Sequence, residues 1–421
     1  MQKARFHGWW VAAAAFFTFG IAVGIPYYGM PFFYDYYQKE FGWQRSDITL
    51  GFPLAALATL WVGPLLVHRF SPRRLILIGT ALTCIAFVGF GYMQALSMYY
   101  ALWFFYMVGY IFSGPIPHQV LVSQWFRKRR GMAMAICYLG VGIFGACSSR
   151  FIAMPLTQAY GWQTALQIMG VMMFLAWPLA IFLMRDKPSD VGQFPDGALT
   201  SEGYTPPPPH DFGFLLRQRS FWLLLIGSAC SIGAIGSINQ HMKFIFLDQG
   251  FKDQAQLNQV FSDALFVIMI SSMVGRVAMG WLADRFPKKY VMLATYALVA
   301  STIPLLEHVS PENSPYLFAV MFGFGMGADY MLIPLMAAEQ FGANSLARAM
   351  GVILPTDTIG QTWFPYGVAL LREHYGSYDV PLAIVFGMAA VGAIAISLLP
   401  RHGRKDEMMR QPAPDEIAAK R

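Results

Sequence analysis

The sequence predicts an all-α membrane protein of twelve transmembrane helices in two pseudo-symmetric six-helix bundles. Three observations carry this. Charged residues make up 13% of the 421, where a soluble domain holds about 25%, so there are too few charges to coat a water-facing surface. Hydrophobic residues reach 56% and fall into long runs. Short stretches recur at matched places in the two halves of the chain.

A helix needs about 20 apolar residues to cross the hydrocarbon core. Runs of this kind occupy about 9–31, 47–67, 74–94, 98–124, 131–155, 163–184, 220–246, 257–283, 289–306, 315–340, 347–371 and 380–399. They are too long and too uniformly apolar for barrel strands, and unpaired backbone is not viable in lipid. The first run is longer than a secretory leader's apolar region and lacks a small-residue cleavage site, so it reads as a span.

Between the sixth and seventh runs lies a Pro-, Gly- and Asp-rich stretch without apolar periodicity, including Pro206–Pro209, which reads as a flexible linker. The expected organisation is a first bundle over 1–184, a cytoplasmic linker over 185–219, a second bundle over 220–400 and a cytoplasmic tail over 401–421. The bundles look duplicated. Phe41-Gly42-Trp43 recurs as Gln249-Gly250-Phe251, His68-Arg69-Phe70 as Asp284-Arg285-Phe286, and Tyr160-Gly161-Trp162 as Tyr375-Gly376-Ser377. The members of each pair are roughly 210 residues apart.

The net charge of +7 could suggest a nucleic-acid partner, but its placement argues otherwise. The basic segments 68–74, 126–130, 285–289 and the tail from Arg401 all fall on the side of the N terminus. This bias places both termini in the cytoplasm. The cysteines Cys84, Cys137, Cys147 and Cys230 sit inside apolar runs without metal-ligand spacing and read as packing residues. No phosphate-binding glycine loop, zinc spacing or nucleophile elbow occurs, so neither nucleotide hydrolysis nor covalent catalysis is indicated, and no cofactor or metal is expected.

The stretch Gly280-Trp281-Leu282-Ala283-Asp284-Arg285-Phe286-Pro287-Lys288-Lys289 resembles the loop motif of the major facilitator superfamily. Its first-half counterpart departs from the pattern, with Pro64 where Gly is usual and His68 where Asp is usual. Asp284, Arg285, His68 and Arg69 are therefore the candidate gating residues, latching the halves on the cytoplasmic side through charge-assisted bonds. His7-Gly8-Trp9-Trp10 and Trp125-Phe126-Arg127-Lys128-Arg129-Arg130-Gly131-Met132-Ala133 resemble the bacterial branch of the monocarboxylate porters, which includes lactate carriers and the oxalate:formate exchanger. Gly275-Arg276 matches the position of that family's substrate-binding arginine. The resemblance implies a secondary carrier of a small organic anion in the inner (plasma) membrane, working as a monomer with protons as the coupling ion. The alternative is an anion exchanger or an efflux carrier for larger or cationic organic compounds.

A charge inside a span costs at least about 2.5–3.5 kcal/mol, so deep charges are candidates for a function. Arg276 lies eight residues before Asp284. That is roughly 12 Å along a helix, near the midplane, where a planar guanidinium suits a carboxylate. Asp357 is expected near the same depth, either paired with Arg276 or carrying the proton. The resemblance puts an acid four residues before the arginine in the mammalian carriers and a lysine at the Asp357 region in the oxalate exchanger. This chain has Ser272 and an acid there. Asp329 is a second proton candidate or the partner of a cation such as Lys243, and Tyr330 beside it can donate a hydrogen bond to substrate.

On the seventh run Gly236, Asn239, Gln240 and Lys243 share a helical face, which reads as a cavity lining. Lys243 is either functional or snorkels to the interface. His241 is a candidate proton relay. Arg150 either attracts anions or pairs within the first half, His118 either binds substrate or satisfies opened backbone carbonyls, and Tyr27 and Tyr28 line the cavity.

Overall fold

The computed structural model describes residues 6–59, 62, 70–126, 130–197, 212–341 and 345–400. The described chain is overwhelmingly helical. Its long helices are α1 (Gly8–Phe41), α3 (Pro72–Phe90), α4 (Leu96–Val122), α5 (Met132–Tyr160), α6 (Trp162–Phe182), α7 (Arg219–Asp248), α8 (Gln254–Arg285), α9 (Lys288–His308), α10 (Tyr316–Phe341) and α12 (Asp379–Ser397). Each is long and apolar enough to cross a bilayer. Two more complete the order: α2 (Arg45–Ala58), whose expected continuation lies outside the described residues, and α11 (Leu346–Tyr375). The last is thirty residues long, but Arg348, Asp357, Arg372 and Glu373 dilute its apolar character.

Local chemistry sets the helix ends. Asp253 caps α8 by accepting from the Gln256 backbone N–H at 2.8 Å. Pro72 opens α3 behind a Ser71 cap. Glycines in left-handed backbone follow α1 (Gly42, φ +67°), α5 (Gly161, φ +82°), α7 (Gly250, φ +103°) and α11 (Gly376, φ +77°). These are the matched positions of two of the sequence repeats, and the reason is steric: a Cβ is disfavoured at such a stop.

The packing repeats as well. In the first half α1 lies on α5, α2 on α4, α3 on α4 and α3 on α6. In the second, α7 lies on α11, α8 on α10, α9 on α10 and α9 on α12. The halves meet through α2 against α11 and α5 against α8, a pair of contacts that exchange under the same correspondence. Small residues bring backbones together, as they do in lipid-embedded bundles. A Cβ on Gly327 would come within 1.9 Å of the Ser272 carbonyl oxygen, and one on Gly275 within 2.0 Å of that of Phe324. α8 and α10 are therefore in backbone contact.

Two expectations shift. α1 does not end near residue 31. It runs on to Phe41 through a π-helical segment (Gly20–Gly24) and a 3₁₀ turn (Met30–Phe33). The start of the expected linker is not free chain either. Residues 185–197 fold against the first half, where the Trp125 indole donates to the Arg185 carbonyl at 2.7 Å and the His7 backbone N–H donates to Gln193 at 2.9 Å.

Candidate functional site

Arg276 sits on α8 where the halves face each other. Its Nε donates to the Gly327 carbonyl at 3.1 Å, a bond that the α8–α10 glycine contact makes possible. Its Nη1 is enclosed and has no acceptor. Among the described residues no carboxylate pairs with it. Tyr28 of α1 and Tyr138 of α5 lie within electrostatic reach of the guanidinium. The Tyr28 ring packs where Gly145 leaves room: a Cβ there would meet it at 2.7 Å. The Tyr138 hydroxyl accepts from Gln119 at 2.5 Å.

Tyr330 of α10 completes this wall. It is 41% exposed although its electrostatic neighbours are Tyr27, Tyr28, Tyr110 and Asp357, on α1, α4 and α11. Residues of both halves surround it, so the exposure opens onto an internal space between them, not onto lipid. The arrangement offers one fixed positive charge with a vacant donor among phenol rings, which can hold one carboxylate and an apolar body.

Asp329 and Asp357 form a second cluster, against α7 inside the second half. The Ser231 hydroxyl donates to Asp329 at 2.6 Å and the Ser228 hydroxyl to Asp357 at 2.7 Å. The serines are one turn apart on α7. Asp329 is fully buried and Asp357 nearly so, and each keeps one oxygen without a partner. Neither acid pairs with a cation among the described residues, so the expected pairings of Asp357 with Arg276 and of Asp329 with Lys243 are not formed. Ser231 and Ser228 of α7 each donate to one acid, offering hydroxyls in place of a cation.

Lys243 is not at the interface with lipid headgroups. It is buried and ion-paired to Asp35 of α1 at 2.6 Å, with its ammonium also donating to the Phe32 carbonyl at 2.5 Å and lying 4.1 Å from the Phe32 ring centroid. Asp35 accepts in addition from Gln254 at 2.6 Å. Nearby, Arg45 of α2 grips Asp248 of α7 through two bonds of 2.9 and 2.7 Å, and Arg372 of α11 joins the same carboxylate at 2.9 Å. Arg150 pairs with Asp263 of α8, a partner in the second half and not the first. That carboxylate engages the charge expected to attract anions. These contacts between the halves concentrate on the side opposite the N terminus.

Four other candidates are occupied by the fold. His118 bonds the Gly114 carbonyl at 2.8 Å and Thr18 at 2.9 Å and stacks on Phe19, so its nitrogens serve the break in α4 and not a substrate. His241 bonds Tyr378 and the Pro365 carbonyl, both at 2.8 Å, the latter a carbonyl near a proline in α11. The Gln240 carbonyl accepts from Tyr34 at 2.8 Å and Tyr27 accepts from Gln361 at 2.7 Å, two further ties between the halves. Asn239 keeps an unpartnered Oδ1. Of the gating candidates, Arg285 stacks over Trp281 at 4.0 Å, His68 and Arg69 lie outside the described residues, and of Asp284 only the backbone, in α8, is described.

A duplicated helical bundle with a polar recess between its halves defines the class: a multi-pass membrane transporter, not an enzyme. The chain belongs to the major facilitator superfamily, whose profile matches residues 115–365 and 258–411. It is 23% identical over 417 residues to Monocarboxylate transporter 10 of Rattus norvegicus, covering 93% of this chain and 78% of the relative. With Monocarboxylate transporter 11 of Mus musculus it shares 23% over 429 residues, covering 94% and 88%. Among solved structures it is similar to a variant of the nucleoside transporter NupG, with a TM-score of 0.73, 11% identity and coverage of 93% and 99%.

Proposed function

We propose that this chain is a secondary carrier of a small organic anion, a monocarboxylate above all, working by alternating access with proton coupling. The observation that carries the reading is Arg276: a half-buried guanidinium between the halves whose enclosed Nη1 lacks an acceptor, with no carboxylate partner among the described residues. A buried donor left open asks for an acceptor from outside, and a carboxylate supplies one with matching charge and geometry. Tyr28, Tyr138 and Tyr330 supply the walls. One cation fits a monoanion better than a dianion. That two relatives bear the name monocarboxylate transporter agrees with this. Asp357 or Asp329 carries the proton. The setting is the cell inner membrane with both termini cytoplasmic, and the working unit is the monomer.

The test is uptake of labelled monocarboxylates into proteoliposomes, with and without a pH gradient. Arg276→Ala is expected to lower uptake roughly 10- to 150-fold, the equivalent of about 1.5–3 kcal/mol of charge-assisted hydrogen bonding. Unchanged uptake would remove the anchor. Efflux of larger or cationic compounds is the second reading, favoured by the two acids without counter-charge. Their burial weighs against it, and competition by lipophilic cations instead of carboxylates would establish it.

A further inference from the structure

The Asp329–Asp357 cluster is unusual in what surrounds it. Two carboxyl groups lie within electrostatic range of one another inside the second bundle. From α7 they face Ser228, Ser231 and Cys230; from α9, Tyr296; from α10 and α11, each other and Tyr330. No cation is among these groups. The Tyr296 hydroxyl is enclosed beside Asp329 and belongs to the same polar group. Three oxygens are thus enclosed at one place: Asp329 Oδ1, Asp357 Oδ2 and the Tyr296 hydroxyl.

Two adjacent carboxylates, sealed from water and with no positive partner, cannot both stay ionised at a tolerable cost. A small cation has to sit with them, and the smallest that needs no space is a proton. We infer that Asp329 and Asp357 act as one unit sharing a single exchangeable proton, held by the hydroxyls of Ser228, Ser231 and Tyr296 and separate from the anion anchor at Arg276. This rests on the carrier reading only for what the proton drives; the unit itself stands on its own geometry. Tyr330 gives it a route outward, because this residue is exposed to the recess and lies within electrostatic reach of Asp357. The bookkeeping of the step is simple: one O–H bond to a carboxyl oxygen breaks as water in the recess takes the proton, and the reverse occurs on reloading. Paired sites titrate as a pair, so removing either member displaces the titration of the other.

The experiment is infrared difference spectroscopy of the purified full chain as pH is varied, on wild type, Asp329→Asn and Asp357→Asn. Substrate exchange between labelled and unlabelled pools is measured alongside. One pH-dependent protonated-carboxyl band in wild type is expected, lost or displaced in both variants, with pH-gradient-driven accumulation lost in both. Exchange reports whether each variant still folds and binds substrate. A band erased by one substitution and untouched by the other would overturn the shared unit. So would a band that shifts with sodium and not with pH, which marks a metal cation as the occupant. The spectroscopic readout does not depend on transport, so a variant with poor exchange still decides the matter. Should wild type show the band but bind no carboxylate, the anion reading falls and this one stands.

Discussion

At the scale of single residues, the guanidinium of Arg276 is set by what it touches. Nε is tied to the Gly327 carbonyl, which fixes the plane of the fork and directs the remaining donors away from α10. A lysine there keeps the charge but not the plane, and its compact ammonium cannot hold Gly327 and a carboxylate in the same geometry. Arg276→Lys is therefore expected to retain some substrate binding yet raise the half-saturation concentration about 10-fold, in keeping with about 1.4 kcal/mol. A concentration series of uptake measures it; wild-type affinity in the lysine variant would count against a planar grip. The tyrosines around it were only partly legible in the sequence. Tyr27 and Tyr28 follow Gly24 and Pro26 in the first span, which sets them apart from the other tyrosines. Tyr110 and Tyr138 sit in apolar runs where a hydroxyl reads as one more aromatic ring.

At the scale of helices, the close approach of α8 and α10 depends on positions that tolerate no side chain. Gly327→Ala forces a methyl to within 1.9 Å of a backbone carbonyl, which cannot swing aside as a flexible side chain would. The helices must part, at a cost of about 1–3 kcal/mol. A lower midpoint in thermal unfolding of the detergent-purified protein is expected. Gly351→Ala in α11, where nothing lies within 4 Å of the added carbon, is the control and is expected to be neutral or stabilising. Helix identity was legible throughout, because about 20 apolar residues in a row leave few alternatives. Helix ends were less so. The first apolar run ends near residue 31 in the sequence, ahead of Asp35 and Lys39. In the fold Asp35 meets a lysine from another helix, so the charge is compensated and the helix continues. Pairing across 208 residues of sequence leaves no local trace. For the same reason the partners of Lys243 and Arg150 went unforeseen, while their depth in the spans did not.

At the scale of the whole molecule, the halves are held on the side opposite the N terminus by the Lys243–Asp35 pair and the Arg45–Asp248–Arg372 group. A buried pair is weak as a source of net stability, because desolvation offsets attraction. Breaking it from one side alone is costly, about 3–5 kcal/mol, since one charge stays buried. Lys243→Met is accordingly expected to open this side and speed amide hydrogen exchange along the adjoining end of α7. Lys243→Met combined with Asp35→Leu is expected to return exchange toward wild type. Equal exchange in the single and double variants would show that the pair does not hold the halves shut.

The backbone contact between α8 and α10 has one more consequence. With carbonyls against α-carbons at Gly275, Gly323 and Gly327, the two helices have little slack there and form one stiff lever. Arg276 stands on one limb and Asp329, two residues beyond Gly327, on the other. In the proposed carrier, a shift of the guanidinium would carry the segment that bears Asp329 with it, so cargo and proton would feel each other without touching.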